Sequence, residues 1–169
     1  MAAVTAIFPP DLLTQATALL ALCRAAKLHI VTAESCTGGL IAGLLTEIAG
    51  SSDVVERGMV VYSNDAKTAQ LGVPAPLIVA HGAVSEEVAR AMAEGALRHA
   101  AAELSIAVTG VAGPGGGTAA KPVGLVHLAS ARQGGATRHE RHIFAGDRAA
   151  IRLASVARAL ALLEAQARA

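Results

Sequence analysis

Leu28-His29-Ile30-Val31-Thr32-Ala33-Glu34-Ser35-Cys36-Thr37-Gly38-Gly39-Leu40 is the stretch whose reading decides the fold. The apolar run Leu28 to Val31 leads into it, and Leu40 to Ile48 leads out with a helical apolar period. The pattern is a buried strand, a tight polar turn and the start of a helix. Such a turn sets backbone N–H groups and small side chains at the carboxyl end of a strand, where open α/β sheets place their ligands. A hydroxyl, a thiol, a second hydroxyl and two glycines stand side by side from Ser35 to Gly39.

Working outward, the same alternation of strand and helix continues. Pro9 and Pro10 precede a helix opened by Asp11 and ending near Lys27. The first strand is expected over Leu28 to Ala33 and the second helix over Thr37 to Ile48. Gly58 to Ser63 reads as a second strand. Asn64 opens a short helix stopped by Gly72, with Pro74 just beyond. Pro76 to His81 is a turn or short helix. Ser85-Glu86-Glu87 is an N-cap with acids in the first turn, starting a helix that reaches about Ala102. Leu104 to Thr109 is a third strand, followed by the glycine-dense loop Gly110 to Gly117. Val123 to Ser130 and Thr137 to Phe144 form a hairpin about Gln133-Gly134-Gly135, and Arg148 to Ala165 is the last helix. One domain over residues 1–169 follows. It is a three-layer α/β/α fold whose mixed, mostly parallel sheet includes one antiparallel hairpin.

Bulk properties narrow the function. The composition is 53% hydrophobic and 16% charged, that of a globular chain with a core of its own. A net charge of +1 gives no electrostatic case for nucleic acid or an anionic membrane, and 2% aromatics gives no base-stacking platform. No window has the length of a membrane span. Met1 to Pro10 lack the pattern of a leader, and two cysteines, Cys23 and Cys36, then imply reduced thiols in the cytoplasm. No metal motif and no cofactor fingerprint stands out: there is no H-E-x-x-H, no cysteine pair at ligand spacing and no Walker A.

Three side chains are candidates for chemistry. Ser35 is either a helix N-cap or a nucleophile. It stands outside G-x-S-x-G, because Ala33 and Thr37 occupy the glycine positions. Lysine occurs only at 27, 67 and 121. Lys67 follows a buried strand as Ser35 does, and a lysine acts as a base once burial lowers its pKa. Tyr62, the only tyrosine, is an amphipathic edge residue or a hydroxyl that relays a proton between the two. Cys36 is a small buried side chain or, at a helix start, a nucleophile paired with His81, for which no acid partner is evident. The loop at Gly110 to Gly117 and the guanidinium of Arg148 are two alternative anion ligands.

Taken together, the motifs carry a resemblance. Thr32-Ala33-Glu34-Ser35-Cys36-Thr37-Gly38-Gly39, Ala49-Gly50-Ser51-Ser52, Glu56-Arg57-Gly58, Tyr62-Ser63-Asn64, Lys67, Leu71-Gly72-Val73, His81-Gly82-Ala83-Val84-Ser85, Gly110-Val111-Ala112-Gly113-Pro114, Lys121-Pro122-Val123-Gly124 and Gly146-Asp147-Arg148 resemble, in order, the CinA C-terminal domain family. Stand-alone members of that family include nicotinamide-nucleotide amidohydrolases (NMN deamidase, PncC), and the chain looks like the stand-alone form. The resemblance implies hydrolysis of the carboxamide of nicotinamide mononucleotide to nicotinate mononucleotide and ammonia, in pyridine nucleotide salvage. The family's serine, lysine and tyrosine fall on Ser35, Lys67 and Tyr62. Their implied roles are an acylated nucleophile, its base, and a neighbouring hydroxyl through which the proton can pass.

The substrate-binding set expected with them is Cys36, Thr37, Gly38, Gly39, Asn64, Thr109, Gly110, Gly113, Gly115 and Arg148. The N–H groups of Cys36 and Thr37 are the oxyanion donors, and the phosphate goes to the glycine loop or to Arg148. Gly115 departs from the acidic or polar residue common there. The expected partner is a small-molecule substrate, with no nucleic acid and no membrane, and the expected assembly is a homodimer or higher homo-oligomer. Two other functions stay open: a non-catalytic nucleotide-sensing module on the same fold, and a cysteine hydrolase using Cys36 with His81.

Overall fold

The computed structural model describes residues 6–169, so the reading of residues 1–10 lies partly outside it. The order of elements is α1 (Pro10–Ala26), β1 (Ile30–Glu34), α2 (Leu40–Glu47), a 3-10 turn (Ser51–Asp53), β2 (Val55–Val60), α3 (Asn64–Leu71), α4 (Ala75–His81), α5 (Glu86–Arg98), β3 (Leu104–Gly110), β4 (Leu125–Arg132), β5 (Arg138–Ile143) and α6 (Arg148–Ala167). The sheet runs β2-β1-β3-β4-β5. β1 pairs parallel with β2 and with β3, and β4 pairs antiparallel with β3 and β5. Four strands therefore share one direction and β4 alone opposes them, as the α/β/α reading with one hairpin requires.

Alternation along the strands builds two cores, because successive side chains leave opposite faces. Ile30, Leu104, Ile106, Val108, Val126 and Leu128 pack under α1, α2 and α6. Val31, Ala33, Ala107, Ala129 and Ala131 pack under α3, α4 and α5. The small residues on the second face let α5 lie close to the sheet. Gly95 extends this closeness to α3, since a Cβ there would stand 2.1 Å from the Leu71 carbonyl oxygen. Among the described residues, no helix is long and apolar enough to cross a membrane.

The chain leaves β1 for β2 on one side and returns to β3 on the other, so β1 sits at the switch point of the sheet, where a crevice opens at the carboxyl ends. Two expected bounds shift for physical reasons found there, and a third shifts elsewhere. The second helix starts at Leu40 instead of Thr37, because Gly38 (φ +59°) and Gly39 (φ +96°) take left-handed conformations that end in an N-cap at Gly39. The second strand stops at Val60 instead of Ser63: Ser63 turns to cap α3, its hydroxyl accepting from the Ala66 N–H. The third long helix ends at Arg98, short of Ala102. The expected caps at Ser85 and Asp147 form, each accepting a backbone N–H of the helix it opens.

Candidate active site

Ser35 follows β1 and Lys67 lies on the first turns of α3, after β2. Strand alternation sends Glu34 toward α2 and Ser35 toward α3, and this brings the second pair together. Lys67 Nζ lies 3.2 Å from Ser35 Oγ, 3.0 Å from the Val61 carbonyl and 3.1 Å from the Tyr62 carbonyl. Lys67 is 1% exposed, the burial that a lysine base requires. Burial holds its pKa below the usual lysine value. Nζ thus faces three oxygens; once the amine is neutral, two N–H bonds can stay on the carbonyls and the lone pair is left to accept from the serine hydroxyl. Ser35 is not an N-cap, since its Oγ belongs to this contact and the N-cap of α2 is Gly39.

Tyr62 enters by its backbone, in correction of the relay expectation. Its carbonyl accepts from Lys67, while its hydroxyl lies 3.5 Å from Arg148 Nη2 and the ring is 64% exposed. No tyrosine hydroxyl stands between Ser35 and Lys67.

The turn from Ser35 to Gly39 is held from two sides by charges that the sequence reading had not placed. On one side is Glu34, which is fully buried. Its carboxylate accepts from the N–H groups of Gly39 (3.2 Å), Ile41 (3.0 Å) and Ala42 (2.9 Å), so the start of α2 already carries an anion. On the other side is Arg152 of α6, with Nε 3.1 Å from the Cys36 carbonyl and Nη2 3.1 Å from the Thr37 carbonyl. Gly38 N–H donates to the Ser35 carbonyl and closes the turn. The N–H groups of Cys36 and Thr37 find no acceptor among the described residues, and the buried Thr37 Oγ1 has no partner either. The expected donors therefore belong to the turn ahead of α2, not to the helix itself.

A cavity of about 200 Å³ opens over Ser35, Cys36, Lys67, Asn64, Thr109 and Gly110. Thr109 serves its wall structurally: its hydroxyl donates to the Ala83 carbonyl at 2.8 Å. Gly110 is needed for close approach, as a Cβ there would come within 3.2 Å of Cys36 Sγ. A second cavity of about 640 Å³ adjoins the first and shares Ala112 and Arg148 with it. Arg148 Nη1 donates to the Gly113 carbonyl at 2.9 Å, so the two candidate anion ligands meet at one place. Gly115 points into open space. Gly38 and Gly39 shape the turn and do not line either cavity.

The cysteine alternative is not assembled. Burial pushes the Cys36 thiol up to about 11, so it is protonated at neutral pH. His81 sits at the end of α4 with Nδ1 3.3 Å from Glu87, the acid the sequence had not shown, and it does not line the cavity over Cys36. Among the described residues, no three His, Cys, Asp or Glu side chains are placed to hold a metal ion.

With this geometry in hand, comparison with known proteins places the fold. The model of the CinA C-terminal domain matches residues 13–167. The chain belongs to the CinA C-terminal domain family. A CinA-like protein of Anaeromyxobacter sp. (strain Fw109-5) is 55% identical over 135 residues, 80% of this chain and 33% of that protein. One of Citrifermentans bemidjiense is 56% identical over 131 residues, 78% of this chain and 31% of that protein. The chain thus spans about a third of the length of these relatives. Among solved structures, the competence/damage inducible protein CihA from Agrobacterium tumefaciens superimposes with a TM-score of 0.93 at 50% identity, covering 95% of this chain and 98% of that one. A competence-damaged protein (CinA) superfamily protein from Escherichia coli gives 0.88 at 33% identity, covering 99% and 96%.

Proposed function

We propose that the protein hydrolyses the carboxamide of nicotinamide mononucleotide to nicotinate mononucleotide and ammonia. The observation that carries this reading is the buried Lys67 amine 3.2 Å from Ser35 Oγ, in a crevice lined by Cys36 and next to a turn whose Cys36 and Thr37 N–H groups are taken up by no other described residue. A buried lysine next to a serine is an activated nucleophile. In the forward step the Ser35 proton passes to Lys67 Nζ as Oγ bonds to the amide carbon. The carbonyl oxygen takes the negative charge and meets the Cys36 and Thr37 N–H groups. The C–N bond then breaks, and the leaving nitrogen takes the proton from Lys67 and departs as ammonia. Water attacks the acyl ester, Lys67 accepts its proton and returns it to Ser35 Oγ as nicotinate mononucleotide leaves.

The two cavities fit the two ends of such a substrate. About 200 Å³ is below the roughly 300–1,000 Å³ of clefts that hold a drug-sized ligand, so the space over Ser35 suits a ring with its amide and not a whole nucleotide. Arg148, at the border with the larger cavity and without a carboxylate partner among the described residues, supplies a fork for the phosphate.

The test is direct. Purified protein incubated with nicotinamide mononucleotide should release ammonia and the acid in equal amounts, and Ser35→Ala and Lys67→Ala should release neither. Binding without turnover in the parent protein would replace this reading with the nucleotide-sensing one.

A further inference from the structure

Arg152 has no part in the proton steps above, yet it is the cation closest to the nucleophilic turn. It lies one helical turn after Arg148, and among the described residues it pairs with no carboxylate. Both of its named bonds go to backbone carbonyls of that turn, at Cys36 and Thr37. It also packs tightly there, since a Cβ on Gly38 would stand 3.4 Å from Nη2.

A trans peptide points its C=O and N–H in opposite directions. The carbonyl of Cys36 and the N–H of Thr37 belong to one peptide. A guanidinium that fixes the first from the α6 side fixes the second on the side away from α6, and its charge polarises that peptide toward a stronger donor. The next peptide is fixed in the same way: the Thr37 carbonyl takes Arg152 Nη2 and the Gly38 N–H goes to Ser35. Glu34 secures the far end of the turn through Gly39, Ile41 and Ala42. Between these two clamps, the Cys36 N–H, the Thr37 N–H and Thr37 Oγ1 are the polar groups left uncommitted.

We propose that Arg152 is a positioning residue that holds the Cys36–Thr37 peptide so that its N–H meets the oxyanion formed when Ser35 attacks. This rests on the reading of the protein as a Ser35 amidase. Arg152 also lines the larger cavity beside Arg148, but both of its hydrogen bonds are spent on the turn, whose orientation is set before substrate arrives, so the loss on removing it falls mainly on the chemical step.

The experiment compares Arg152→Met and Arg152→Lys with the parent protein in three readouts: kcat and KM on nicotinamide mononucleotide and on nicotinamide riboside, thermal unfolding, and the rate at which a fluorophosphonate labels Ser35. Arg152→Met should lower kcat about 10²-fold on either substrate while KM moves less than about threefold, the size and type of loss seen for an oxyanion donor. Labelling should fall in parallel, and Arg152→Lys should recover part of both. A folded Arg152→Met with kcat within about threefold of the parent would overturn the inference. So would a rise in KM confined to the phosphorylated substrate, which would make Arg152 a phosphate ligand. If Arg152→Met does not fold, Arg152→Lys carries the same criteria. If the parent turns over neither substrate, the amidase reading fails separately, and unchanged labelling in Arg152→Met still overturns the positioning role.

Discussion

Lys67 Nζ and Ser35 Oγ lie 3.2 Å apart in a place where the lysine is 1% exposed, although they are 32 residues apart in the chain. The pairing makes activity depend on the charge of one amine. Burial lowers the Lys67 pKa, so the neutral form is reached below the usual 10.5. With nicotinamide mononucleotide as substrate, kcat/KM should rise with pH along an acid limb that ends below 10.5. Lys67→Arg should abolish that limb together with turnover, because a guanidinium stays protonated. A pH-independent rate in the parent protein would remove Lys67 from the role of base.

Tyr62 offers a sharp contrast between side chain and backbone. Lys67 touches its carbonyl, and its hydroxyl faces Arg148. Tyr62→Phe keeps the carbonyl, so kcat should stay within about fivefold of the parent, well short of the roughly 10²–10⁴-fold effect of a true proton-transfer group. A modest rise in KM is expected through Arg148. A loss of 10³-fold or more in kcat would restore the hydroxyl to the proton path.

Cys36 tests the thiol alternative. Burial holds it at about 11, so little thiolate exists at neutral pH, and the group contributes a backbone N–H and bulk to the cavity wall. Cys36→Ala should retain turnover within about tenfold of the parent, the cost of a small cavity beside a still intact Ser35–Lys67 pair. Complete inactivation with the fold preserved would return the cysteine to the chemistry.

Glu34 bears on stability. Its buried carboxylate satisfies three orphan N–H groups at the start of α2. Glu34→Ala should lower unfolding free energy by about 3 kcal/mol, since bonds to a charged acceptor exceed an ordinary cap and their donors would be left buried. Glu34→Gln keeps an acceptor and should lose about half of that. Chemical denaturation of the three proteins reads the difference, and equal midpoints would show that the turn does not need the charge.

The pattern of these predictions follows what a linear chain can and cannot display. Ser35 and Lys67 were legible because each follows a strand, and strand ends of an open sheet gather at one edge; the expected burial holds for β1 but not for β2, a half-exposed edge strand. The strand order was less visible: alternation separates the Val31 face from the Ile30 face, but only packing decides that β1 lies between β2 and β3. For Tyr62 a sequence displays the side chain, and its contact with Lys67 is made by the carbonyl while the hydroxyl faces Arg148. Glu34 was given no role, when its alternation toward α2, with three N–H groups waiting there, is a readable signal for a cap. Arg152 left the faintest trace, a position four residues after Arg148 on the last helix. Its partners lie 115 and 116 residues earlier, and no local rule spans that distance.

Lys67 also exposes a cost carried for the site. Its folded-state pKa is lowered while the unfolded chain keeps the ordinary 10.5, so between those two values the unfolded state holds more protons. Stability therefore rises with pH across that window, and below it the penalty of burying an ammonium is carried in full. Lys67→Met removes the titrating group while filling a similar volume. Its thermal midpoint, compared with the parent at each pH, should be most favourable on the acid side of that window and should lose that advantage as pH approaches 10.5. The Val61 and Tyr62 carbonyls lose their donor in the variant, and that loss is the same at every pH, so it offsets the whole curve without changing its slope. A difference between the two proteins that does not vary with pH would show that Lys67 titrates alike in the folded and unfolded chains, and the argument for a neutral base would fall with it.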